Sequence, residues 1–229
     1  MKNKIRQIRI NGFLSSCMVI SGLCLALALN GCISVPNSPT PRFYMLQAVY
    51  ENQVNKKINI APDVLIGVGP VKIPEYQDRP QIVTQSTEKM LKFAQFDRWG
   101  ESLDLGVARL IGEDLTVMLP GAKFTLYPWN PSIAVKYQVV VEIVQLDSKL
   151  DNDLFLVAQW LVIDAQNTKT LIIKRSEFRQ PIVPQDYSGL AKTLSTVCAS
   201  LSGEIAEALV TIETHPKTKK YAPLSQESK

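Results

Sequence analysis

The chain has 229 residues, 46% hydrophobic and 20% charged, enough to bury one core and too apolar for a disordered chain. Its formal charge of +4 does not indicate a nucleic-acid partner. Residues 1–31 hold four basic and no acidic groups, so 21 of the 25 Lys/Arg remain to balance 21 Asp/Glu. The single histidine, His215, leaves no usual imidazole set for a metal site and little for a Ser-His-Asp triad.

Lys2, Lys4, Arg6 and Arg9 open the chain, and no further charge occurs before Arg42. Between them Phe13–Leu29 is almost wholly apolar and runs into Leu29-Asn30-Gly31-Cys32. A basic start, an apolar stretch and a small residue before a cleavage point make up a secretory signal. An uncleaved membrane helix is the weaker reading: the apolar run is at the bottom of the spanning range, and Asn30, Pro36, Pro39 and Pro41 follow it. Ending at a cysteine, the segment resembles the lipobox of bacterial lipoproteins. That resemblance implies a cleaved signal peptide over 1–31 and Cys32 as the lipid-attachment residue, carrying acyl chains such as palmitate. Asn30 departs from the small or aliphatic residue usual there. Ile33, where inner-membrane lipoproteins of enterobacteria carry Asp, implies the outer membrane, with the protein facing the periplasm. Cys17 and Cys24 leave with the signal, so Cys198 is the one remaining thiol and no intramolecular disulfide can form.

Residues 32–42 read as a proline-rich tether. Ser34–Arg42 has three prolines and spans roughly 28 Å at about 3.1 Å per residue in a polyproline-like conformation. The domain is then expected over 43–214. Phe43–Leu46 is a short strand, Glu51–Asn59 a polar loop, and Val64–Val71 a buried strand whose glycines predict a bulge or a close backbone approach. Gln81–Thr84 and Met90–Phe93 read as two short strands. Leu103, Val107, Leu110, Ile111, Leu115 and Met118 recur at helical steps, which predicts a helix over Ser102–Leu119 ended by Pro120-Gly121. Lys123–Tyr127 is a short strand. Val135–Ile143, Leu154–Asp164 and Thr170–Phe178 form a meander, the first alternating cleanly between apolar and polar. Asp186 is the expected N-cap of a last helix running to about Glu213, with Leu190, Leu194, Val197, Leu201, Ile205, Leu209 and Ile212 on one face. Residues 215–229 are a polar tail expected to be disordered. The fold class is therefore α+β: a single domain with an antiparallel sheet and two amphipathic helices packed on one face. The other sheet face and an edge strand stay free for self-association or a partner.

No nucleophile elbow, P-loop or dinucleotide fingerprint occurs, so neither catalytic nor metal-binding residues are assigned and no cofactor is expected. Glu101, Asp104, Glu113 and Asp114 read as first-turn and exposed-face charges of a helix. Asp151 and Asp153 read as a solvated hairpin turn, and Cys198 and Trp160 as core. Trp129, between Pro128 and Pro131, either caps the end of the sheet or contacts a partner.

Several segments then line up: Arg79-Pro80-Gln81-Ile82-Val83, Arg98-Trp99-Gly100-Glu101-Ser102-Leu103 at the start of a helix, the Tyr137–Ile143 strand, Trp160 beside it, and the Ala/Ser/Leu-rich helix after Tyr187. With the lipobox, they resemble the ABC-type transport auxiliary lipoproteins over the whole mature chain up to the tail. Gly100 and Ser102 stand where Ala and Pro are frequent in that family. The resemblance implies an outer-membrane lipoprotein that works with a mammalian-cell-entry (MCE) domain transport system, receiving or anchoring an inner-membrane tunnel protein through which lipid crosses the periplasm. It implies no catalytic residues. The partners expected are thus the MCE-domain tunnel protein, the outer membrane through the acyl chains, and further copies of the chain in a homo-oligomer. A head-to-tail contact between copies closes a ring where the rotation permits. Competing readings are a tethered periplasmic lipid carrier, an envelope hydrolase, and a structural assembly lipoprotein of another outer-membrane complex. A carrier needs an apolar cavity of roughly 300–1,000 Å³ for acyl chains.

Overall fold

The computed structural model describes residues 39–48, 60–86 and 88–215. The expected signal peptide, Cys32, most of the tether, the Glu51–Asn59 loop and the tail beyond His215 lie outside the described residues. All the described secondary structure falls in the compact unit that begins at Thr40.

Among the described residues, eight strands and two α-helices follow one another: β1 (Arg42–Tyr44), β2 (Leu65–Lys72), β3 (Gln81–Gln85), β4 (Leu91–Trp99), α1 (Leu103–Met118), β5 (Lys123–Leu126), β6 (Tyr137–Ser148), β7 (Asp153–Asp164), β8 (Lys169–Pro181) and α2 (Tyr187–Thr214), with a short 3-10 helix at Glu75–Gln77 between β2 and β3. They make a five-stranded sheet in the order β5-β2-β6-β7-β8 and a three-stranded sheet in the order β1-β4-β3. The α+β class, the single domain and the two helices are as expected, and β6-β7-β8 is the predicted antiparallel meander. The expectation of a wholly antiparallel sheet needs correction: the sheets are mixed. β2 runs parallel to both β5 and β6, and β1 runs parallel to β4. The reason is connectivity. Parallel neighbours need a crossover, and α1 lies in the connection between β2 and β5, whereas hydrophobic alternation records a strand's faces but not its direction.

The core forms between the helices and one face of the larger sheet. Ile66 and Val68 of β2, Val139 and Val141 of β6, and Leu156, Trp160 and Val162 of β7 are fully or almost fully buried there. α1 covers β2 and β5, α2 covers β7 and β8, and the two helices pack on each other. Their apolar stripes meet the sheet as the periodicity predicted: Val107, Leu110, Ile111 and Leu115 on α1, and Leu194, Val197, Leu201, Ile205 and Leu209 on α2, are all at 0% exposure. Asp186 caps α2, its carboxylate accepting from the Gly189 amide at 2.8 Å. Polar ties fix α2 laterally. The Trp160 indole donates to Ser176 Oγ (3.0 Å), Ser176 donates to Glu204 (2.6 Å), and Lys174 pairs with Glu204 (2.7 Å). Near the C-terminal end of α2, Glu213 accepts from Tyr137 (2.6 Å) and Lys136 (2.8 Å).

β4 runs to Trp99, well past the expected Phe93, because β1 and β3 flank it along this length. β3 and the segment just before it meet the far end of β6. Ser148 Oγ donates to Val83 O (3.1 Å), Gln85 Nε2 to Asp147 (2.6 Å) and Gln77 Nε2 to Leu146 O (2.8 Å).

Candidate interaction surface

On β2, Ile66 and Val68 point into the core, so Gly67 between them faces the opposite side of the sheet. Register carries this outward face across the strands. Gly67 lies opposite Gln138 and Gln138 opposite Ile163. The next row is Val140, Leu161 and Ile173, and the row after it Glu142, Gln159 and Arg175. The middle row is apolar and faces outward, with Ile173 at 49% exposure and Val144 nearby at 45%. Polar residues border it on the Glu142 side.

Trp129 stands on this same face. Its ring lies so close over Gly67 that a Cβ there would fall 2.5 Å from Cη2, so only glycine fits beneath it. Tyr127 meets the ring edge-on at 5.7 Å between centroids, and Asn130 steadies the loop by accepting from the Ser132 amide (2.9 Å). The close approach expected at the β2 glycines is therefore made by Trp129, and the expected bulge is the shift in β2–β6 register between Val68 and Val71. Trp129 caps the sheet and remains half-buried on the outward face, next to the apolar row.

The two segments that carried the family resemblance adjoin in space. Pro80 O accepts from the Trp99 amide (2.8 Å), and Gln81 pairs with Arg98. Ile82, Val83, Trp99 and Leu103 are buried, and the Arg79 guanidinium lies over the Phe93 ring at 4.4 Å. Glu101 accepts from Arg109, which also donates to Leu46 O (2.9 Å) and pairs with Glu113. Asp97 holds β1 in place, accepting from Arg42 (3.0 Å) and Tyr44 (2.8 Å). These residues join the start of the domain to its first helix; they form a structural seam. Arg98 Nε and Trp99 Nε1 within it are buried without an acceptor, at a cost of about 1–3 kcal/mol for each unpaired donor.

Cys198 is buried, as expected, and burial pushes its thiol far above the ordinary range. Asp153 pairs with Arg179 across the meander. Asp114 departs from expectation. It is 4% exposed, at the contact between α1 and α2, where Ser202 Oγ lies 3.2 Å from its carboxyl and 2.9 Å from Cys198 O. The sequence did carry a signal: Asp114 is four residues after Leu110 and four before Met118, inside the apolar stripe. Burial, reinforced by the Glu113 charge and opposed by Ser202, pushes its pKa up to about 7.

This has a pH consequence. The unfolded aspartate ionises near 3.8, the folded one near 7, so between these values unfolding releases a proton and stability falls as pH rises. Asp114→Asn does not titrate. Its stability relative to wild type is expected to rise by about 2–3 kcal/mol from about pH 5 to about pH 8. Urea unfolding of both proteins at the two pH values measures this; a constant difference would show that Asp114 is ionised in the folded state throughout.

A family model described as "ABC-type transport auxiliary lipoprotein component" matches residues 44–206. Comparison with curated proteins finds no match. Among solved structures, a Xanthomonas campestris protein of the DUF330 family is similar at TM-score 0.59 and 10% identity, over 77% of this chain and 100% of that one. An uncharacterized protein is similar at TM-score 0.58 and 17% identity, over 75% of this chain and 99% of that one. At these identities the likeness is one of fold.

Proposed function

The chain belongs to the family of ABC-type transport auxiliary lipoprotein components, and from that premise we propose that it is an outer-membrane-anchored component of an MCE-type intermembrane lipid transport system. Cys32 carries the acyl chains, and the domain docks or receives the periplasm-spanning tunnel protein, supporting envelope integrity. It acts as a non-enzymatic docking element and self-associates into a homo-oligomer around the tunnel. The family match across nearly all the described fold is the observation that carries this reading. The outward row Val140–Leu161–Ile173 beside Trp129 supports it, because an apolar strip bordered by polar residues is suited to protein contact.

The test is photo-crosslinking in cells from probes placed at Trp129 and Ile173. The expected product from at least one position is an adduct with an MCE-domain protein. Adducts with a secretin or a lipopolysaccharide exporter instead would show an assembly lipoprotein of another complex.

A further inference from the structure

The outer part of the β3–β4 hairpin offers a second surface, separate from the Trp129 face. Residues 88–93 are all exposed, and three of them are large and apolar: Met90 at 57%, Leu91 at 39% and Phe93 at 50%. Two backbone hydrogen bonds join the ends of the hairpin, Ser86 N–H donating to Met90 O (2.9 Å) and Lys89 N–H to Ser86 O (3.1 Å). Cations border them. Lys89 and Lys92 lie within the segment beside the single acid Glu88, and Arg79 lies against Phe93.

The direction of β1 gives this surface its meaning. β1 is parallel to β4, with Arg42 opposite Asp97 and Tyr44 opposite Trp99. The start of β1 therefore faces the end of the sheet from which the hairpin turn projects. Asp97 is six residues beyond Leu91, at most about 20 Å along a strand. Cys32 precedes Arg42 by ten residues, about 31 Å when fully polyproline-like. The N-terminal end of β1 and the hairpin turn thus lie toward the same end of the three-stranded sheet, and ten residues are long enough a linker to let that end reach the membrane.

We propose that the β3–β4 hairpin is a membrane contact: Met90, Leu91 and Phe93 enter the boundary between headgroups and acyl chains, and Lys89, Lys92 and Arg79 meet anionic phosphates. The contact fixes the domain's orientation on the bilayer, so the tether does not leave it free to swing. Aromatic and aliphatic side chains flanked by lysine are the composition that binds such an interface. The proposal rests on Cys32 being the anchor, and its test avoids that dependence.

Among the described residues the buried core lies between Leu46 and Leu209, within the compact unit that begins at Thr40, so the anchor-free domain from Thr40 retains it. That anchor-free domain is floated with vesicles of phosphatidylethanolamine and phosphatidylglycerol, and with vesicles of phosphatidylcholine alone. Binding to the anionic vesicles is expected, falling at least about tenfold in Met90→Ser/Leu91→Ser/Phe93→Ser. Lys89→Glu/Lys92→Glu should weaken it several-fold, with both variants keeping the wild-type thermal midpoint. A wild-type domain that does not float, or a triple variant that floats equally, overturns the proposal. So does a wild-type oligomer that the triple variant converts to monomer, since a second copy would then cover these residues. Failure of palmitate labelling at Cys32 would instead count against the anchor and leave the vesicle result standing.

Discussion

Leu194→Asp is expected to leave the domain largely unfolded at ordinary temperatures. Leu194 is fully buried on α2, in the core shared with α1 and the sheet. Removing a buried leucine costs about 2–5 kcal/mol, and an unpaired carboxyl in its place adds further cost, against a total stability of about 5–15 kcal/mol. Lys192→Asp, two residues earlier on the exposed side of the same helix, should change stability by no more than about 0.5 kcal/mol. Thermal unfolding of the pair measures the contrast. Equal midpoints would mean that the helix presents a different face to the core.

Cys32→Ala is expected to abolish acylation outright, because no other residue in the signal region offers a thiol at the cleavage point. The variant should persist as a precursor held by its signal segment, without palmitate label. Ile33→Asp should leave acylation intact and move the protein toward the inner membrane in an enterobacterial host. A Cys32→Ala protein that still takes up palmitate and fractionates with the outer membrane would refute the anchor. An unchanged distribution of Ile33→Asp would refute only the sorting argument.

What could be read from the sequence followed from local periodicity. α2 was legible from end to end because seven apolar residues keep helical spacing behind a capping aspartate, and the last three strands because β6 alternates cleanly. The periodicity ends β4 early because Ala94–Trp99 places Gln95, Asp97 and Arg98 among apolar residues; the last three residues of the strand pair with β1, which is distant in sequence. The parallel pairings were invisible for the same reason. At Asp114 two signals conflict: its charge suggests the surface, while its place in the α1 stripe marks it as buried, and the stripe decides. For Trp129 the flanking prolines point to a cap or a contact, but that Gly67 lies beneath it depends on a loop folding back across the sheet, which no spacing of residues encodes. The family resemblance was legible in two segments whose role the structure makes clear: they pair with each other to hold the start of the domain against its first helix. Cys32 was the clearest signal of all, and it lies outside the described residues.

Native mass spectrometry of the domain from Pro41 onward, expressed in the periplasm and purified without denaturant, tests the docking account most directly. Docking predicts a domain without stoichiometric phospholipid that associates with itself or with the distal part of a tunnel-forming MCE protein. The apolar stripes of both helices are buried, and between the helices Ser202 meets Asp114. One phospholipid per monomer, retained through purification, would contradict docking and make the protein a tethered carrier.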